Sequence, residues 1–241
     1  VTSAACSTWA LALLALLTTA CGAAPPAAPS GPVEAGPDSR PRGAQLTTSA
    51  EIGALDERKT NAAFNRAGVE LTNCFARGTE RIGYLAGDAE FYVRVANDGR
   101  PRYVYLADST LGDRETETCM LRILERASFP APIGGNEGIA KRQMRFDPGG
   151  DERPPVSWSA SQLGAALGHA TGALSRCAAS AGTGPMKATM YIETDGKPAS
   201  VGVSVSDDKG EKAVDCVVDV LRSTTFPSPG SYAAKVTIDI R

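Results

Sequence analysis

"CMLRILERASFPAP" at residues 119–132 and "CVVDVLRSTTFPSP" at residues 216–229 share one plan: a cysteine, an apolar helical stripe, then Phe-Pro-x-Pro. Met120, Ile123, Leu124 and Ala127 recur at spacings of three and four, as do Val217, Val220, Leu221 and Thr224. Each segment therefore reads as a helix with one apolar face. Phe129-Pro130 and Phe226-Pro227 end the two helices, because proline lacks the amide donor and disfavours a helical residue before it.

Setting Cys119 on Cys216 brings Asp98-Gly99-Arg100-Pro101 over Asp195-Gly196-Lys197-Pro198 without a gap. Further upstream the registers differ by a short insertion, yet each copy again carries a cysteine, Cys74 or Cys177, on a helical segment. There Phe64 and Leu71 correspond to Leu167 and Leu174. A duplicated domain accounts for all of these matches together.

Between the helices, Phe91, Val93 and Val95 alternate with Glu90, Tyr92 and Arg94, the pattern of a half-buried strand running into an Asp-Gly hairpin. Ala188, Met190 and Ile192 hold the matching face in the second copy. Val104 and Leu106 face the same core from the return strand, as do Val201, Val203 and Val205 in copy two. A last strand is expected at Met144 and Phe146, and at Val236, Ile238 and Ile240. The expected fold is α+β: two tandem small domains, each a three-stranded antiparallel sheet packed by helices. Domain 1 spans 60–148, a linker 149–156, and domain 2 157–241.

Domains of this size have little core to spare, which gives the cysteines a structural role. Four cysteines allow three pairings, and only Cys74 with Cys119 and Cys177 with Cys216 uses the same pairing in both copies. Each bond would close a loop of roughly 40 residues and stabilise by about 3 to 4 kcal/mol. Zinc would want closely spaced ligand pairs, and a thioredoxin-like centre would want Cys-x-x-Cys; neither pattern is present.

The 241 residues carry a formal charge of -2, which gives no overall pull toward nucleic acid. The local run Lys141, Arg142, Arg145 reads as a solvated strand face. The apolar run Trp9 to Leu17 is too short to span a membrane and suits a secretory signal over residues 1–20. It ends in Thr18-Thr19-Ala20-Cys21, which resembles a bacterial lipobox and implies acylation of Cys21. Residues 1–8 hold no Lys or Arg, so the start is expected either at Val1 read from GTG or upstream. Residues 21–59, rich in Pro, Ala and Gly at their beginning, read as an extended spacer. Export supplies the oxidising compartment in which disulfides persist.

The succession of alternating strand, Asp-Gly hairpin, return strand, apolar helix, Phe-Pro and final strand resembles the C-terminal domain of the energy transducer TonB. The paired cysteines and the C…FPxP endings are more similar to the related C-terminal domains of gliding-motility proteins of the AgmX and PglI kind. The resemblance covers about 60–148 and 157–241. It implies an envelope protein that binds another protein or a surface component, often by strand addition at a sheet edge. The anchor here looks lipidic and the spacer short, so the resemblance does not extend to energy transduction.

Few residues suggest chemistry. His169, the single histidine, sits among Gly164, Gly168 and Gly172, which reads as a close-packed helix. Asp113, Glu115 and Glu117, and Asp207-Asp208, are expected in the loops between each return strand and its helix, where carboxylates favour the positive helix end. Ser109-Thr110 and Ser204 with Ser206 lack a Gly-x-Ser-x-Gly setting. These readings lead to a non-enzymatic, lipid-anchored envelope protein with no cofactor, metal, nucleic acid or small-molecule substrate. It is expected at the outer membrane, facing the periplasm. Tyr92, Tyr103 and Tyr105, on an expected exposed strand edge, are the candidate partner-binding residues. The alternatives are an envelope-polymer hydrolase using carboxylates from both domains, and a purely structural envelope lipoprotein.

Overall fold

A computed structural model describes residues 50–147, 149–150 and 152–240. The expected signal segment, Cys6, the expected acylation site Cys21 and the expected spacer up to residue 49 lie outside the described residues. The described residues form one compact unit.

Each copy follows the order strand, helix, hairpin, helix, strand. In the first, β1 (Ala50–Gly53) precedes α1 (Glu57–Arg81), the β2–β3 hairpin (Gly87–Ala96, Pro101–Ser109), α2 (Arg114–Glu125) and β4 (Gly135–Phe146). In the second, β5 (Val156–Trp158) and one 3-10 turn precede α3 (Gly164–Ala181). The β6–β7 hairpin (Met186–Ile192, Pro198–Val205), α4 (Glu211–Arg222) and β8 (Ala234–Ile240) follow. The strand orders β1-β4-β2-β3 and β5-β8-β6-β7 are the same, so the two copies share one topology.

Both sheets have four strands, not the three expected. The added strands, β1 and β5, pair parallel with the last strand of their copy, so the sheets are mixed rather than purely antiparallel. At four and three residues they are too short for a period of two to register. Only their partner strands supply the hydrogen bonds that make them strands. Domain 1 consequently begins at residue 50 rather than 60, within the expected spacer. Asp56 caps α1 by accepting from the Lys59 amide at 3.0 Å.

Phe91, Val93 and Val95 are fully buried with Phe64, Leu71, Met120 and Leu124 in the first core. Met190, Ile192, Val201, Val203, Val217 and Leu221 do the same in the second. The disulfides Cys74–Cys119 and Cys177–Cys216 join the two helices of each copy, at Cα separations of 5.9 and 5.7 Å. The pairing that the duplication requires is the one formed.

The Asp-Gly turns do more than reverse the chain. Gly99 and Gly196 adopt φ of 81° and 82°, and each carbonyl accepts from the amide of the Phe in Phe-Pro at 2.9 Å. A Cβ on either glycine would meet that phenylalanine's own carbonyl oxygen, at 2.5 Å for Phe129 and 2.1 Å for Phe226. The two motifs that first aligned the copies are thus bonded to each other. In α3 the expected close packing of glycines is absent. Gly168 and Gly172 lie on the outer face, and the buried face is Ala170, Leu174, Cys177 and Ala178.

These environments predict opposite outcomes for one substitution. Gly99→Ala or Gly196→Ala forces a left-handed backbone and a carbonyl clash, and should cost about 2 kcal/mol or more. Gly168→Ala, in open space within a helix, should stabilise by about 0.5 to 1 kcal/mol. Urea midpoints read both; equal shifts at Gly99 and Gly168 would refute the assignment.

Candidate functional site

The tyrosines expected at a free edge instead lie in the seam between the two copies. On β3, Val104 and Leu106 point into the first core, so Tyr103 and Tyr105 project from the opposite face. There Tyr105 is buried in the second copy's core, with Tyr92 and Tyr103 packed against it. Tyr92 and Tyr105 stack at 4.6 Å, and burial pushes the Tyr105 phenol up to about 12. The edge strand β3 lies against β7, the edge strand of the other sheet. The tyrosine-bearing face expected to receive a partner is therefore covered within the chain, because two apolar sheet faces gain more by covering each other than by meeting water.

The exchange is reciprocal. Tyr191 of β6 is wholly buried in the first core. Its hydroxyl donates to the Ala86 carbonyl at 2.8 Å and accepts from the Ala86 amide at 3.1 Å. Lys235 Nζ donates to the same carbonyl at 2.5 Å and lies 5.1 Å from the Tyr191 ring centre. Burial lowers this amine to about 8. Together with Tyr84 and Trp158, these two residues wall a cleft of about 650 Å³.

Glu117 departs furthest from its expected role. Asp113 does cap α2, accepting from the Thr116 amide at 3.1 Å, and Glu115 is exposed in the first turn. Glu117 is fully enclosed between the copies. One carboxylate oxygen accepts from Ser109 Oγ at 2.9 Å and the Gly112 amide at 3.3 Å; the other accepts from the Val203 amide at 3.1 Å. Burial pushes the carboxyl up to about 7, with the Ser109 and Val203 donors opposing. Gly202 makes room, since a Cβ there would lie 2.3 Å from Glu117 Oε1. In the alignment Glu117 corresponds to Val214 and Tyr105 to Gly202. The repeat pattern therefore marks these positions as divergent without revealing that they meet.

Of the other candidates, His169 is exposed on α3. Despite partial burial, Asp207 is held below its usual range by Thr183 Oγ1 and the Gly210 amide, each at 2.9 Å; it lies in the turn before α4 and does not cap that helix, contrary to the expected helix-start role. Ser109 is committed to Glu117. Arg142 bonds Asn61 and Asn65, and Arg145 pairs with Asp88. Among the described residues, no group of three or more His, Cys, Asp or Glu could hold a metal ion.

A surface the sequence reading passed over is more distinctive. A cleft of about 930 Å³ on the helix side is lined by Arg77 and Arg81 of α1, Arg114 and Arg122 of α2, Arg126, and Arg222 of α4. Arg114, Thr118, Arg122 and Arg126 are spaced by four, which puts them on one helical face. The aligned positions of copy two are Glu211, Asp215, Asp219 and Ser223. One helix face has thus taken opposite charge in the two copies, a signal present in the sequence once the copies are aligned. Arg114 crosses the seam to Asp215 at 2.9 Å and Glu211 at 3.5 Å.

No family model, no curated protein and no solved structure matches this chain.

Glu117 predicts a pH effect. The folded chain keeps its proton up to about pH 7, whereas the unfolded chain releases it near 4.5. The stabilising contribution is complete below 4.5 and is lost as pH rises through 7. Wild type should lose about 3 kcal/mol across that window relative to Glu117→Gln. The variant should also start lower, because its amide nitrogen would face the Val203 amide. Parallel stability curves from urea melts at pH 4.5 to 7.5 would exclude this role.

Proposed function

We propose that this chain is a lipid-anchored cell-envelope protein, held by Cys21, whose two repeats act as one body that binds a protein or envelope component. The carrying observation is the charge divergence of one helix face: Arg114, Thr118, Arg122 and Arg126 in one copy against Glu211, Asp215, Asp219 and Ser223 in the other. Folding asks only that a solvent face be polar, so opposite signs on duplicated faces favour recognition over a purely structural lipoprotein. The two intra-copy disulfides support export, in keeping with the lipobox-like segment.

The repeat pattern still supports kinship with TonB C-terminal-like domains of the AgmX and PglI type, and with it a place at the outer membrane facing the periplasm. The seam moves the binding surface, however. Tyr105 is packed into the second copy's core and is not free to meet a partner, while the arginine-lined cleft is open. A non-enzymatic role is favoured over hydrolysis by how the carboxylates are engaged: Glu117 is enclosed, Glu115 lies 3.2 Å from Arg81, and Asp215 pairs with Arg114.

Two measurements on protein from its own membrane fraction test the proposal. Non-reduced peptide mass spectrometry should find an acylated Cys21 and both disulfide-linked peptide pairs. A photo-crosslinker at Asn73, within the cleft, should give a discrete envelope adduct that one at His169 does not. Free thiols with an unprocessed N-terminal segment, or identical adducts from both positions, would overturn it.

A further inference from the structure

The geometry points to the arginine cleft as a binding site for clustered phosphate groups, a deepening that rests on the reading of this face as the envelope-binding surface. Six guanidinium groups line it against three carboxylates, Glu70, Glu115 and Asp215, in a chain whose overall charge is -2. The positive charge is therefore local and concentrated. Arg81 is fixed by Asp113 at 2.5 Å and Glu115 at 3.2 Å, and Arg114 by Asp215 and Glu211. Arg77, Arg122, Arg126 and Arg222 have no carboxylate partner among the described residues.

Two features favour a multivalent ligand. Like charges four residues apart, as at Arg77/Arg81 and Arg122/Arg126, oppose helix stability, and a bound anion reverses that penalty. The array is also preorganised: Cys74–Cys119 ties α1 to α2 beneath it, and Arg77 Nη2 lies 2.9 Å from Cys119 Sγ. Helices locked in this way lose little freedom when a ligand binds. Guanidinium forks match phosphate oxygens two at a time, and several forks around one cleft suit several phosphates better than one isolated anion. The volume of about 930 Å³ accommodates a phosphorylated lipid headgroup or a run of phosphates on a polymer.

The test uses the full chain with disulfides intact and Cys21→Ser, so that no acyl group contributes. Inorganic tripolyphosphate titrated calorimetrically at about 50 mM salt should bind one per chain, with affinity falling as salt rises. Arg122→Gln with Arg126→Gln, both exposed, should weaken binding about tenfold or more without lowering the urea midpoint. Arg142→Gln, outside the cleft, should leave binding unchanged. Capture of phosphatidylglycerol vesicles, competed by tripolyphosphate, would identify a lipid source; tripolyphosphate binding without vesicle capture would exclude that lipid and leave phosphates carried on a polymer. Absence of tripolyphosphate binding, equal binding by the double variant, or equally tight binding of polyglutamate would overturn the inference. A discrete adduct from Asn73 with no tripolyphosphate binding would remove the phosphate assignment and leave the envelope-binding reading standing.

Discussion

The carboxyl group of Glu117, enclosed without a cation and held by three donors, is the constraint on which the arrangement of the two copies depends. Burying such a group without partners would cost several kcal/mol. Two of its donors, Ser109 Oγ and the Gly112 amide, come from its own copy; the third, the Val203 amide, comes from the other. Each sheet pairs only strands of its own copy. Satisfying Glu117 requires β7 at one register against the first copy, and Gly202 is the residue without a side chain that permits the approach. Tyr105 and Tyr191 then fill each other's cores, so the seam is continuous with both interiors.

Within each copy the bracing is symmetric. A disulfide joins the helices, and the Asp-Gly turn bonds to the Phe-Pro segment that ends the second helix. These features recur because each copy must solve the same problem of a small core. What differs between the copies lies at the seam and on the solvent face of the second helix. Glu117 opposes Val214 in the alignment, Tyr105 opposes Gly202, and Arg122 opposes Asp219. Duplication supplied the fold twice, and divergence at these positions made one body with unlike faces.

Much of the core was readable in advance. Alternation placed Phe91, Val93 and Val95 inside, helical spacing placed Met120 and Leu124, and the duplication selected the disulfide pairing. The strands β1 and β5 were not readable, since three or four residues carry no period and acquire strand character only from a partner. The tyrosines were misread for a related reason: alternation says that Tyr105 leaves its own core, not what covers it. The arginine stripe of α2 was present in the spacing, but its meaning needed Arg77, Arg81 and Arg222 from helices distant in the chain.

The sequence by itself determined the duplication, the hairpins, the helix ends, the cysteine pairs and the inward face of each main strand. All of these follow from periodicity, from proline and glycine stereochemistry, and from the matching of two copies. Only the tertiary structure decided that Tyr105 and Tyr191 pack into each other's cores, that Glu117 is an interior group, and that six arginines share one cleft. Those outcomes depend on which surfaces meet, and complementary burial between distant segments leaves no local signature in either one.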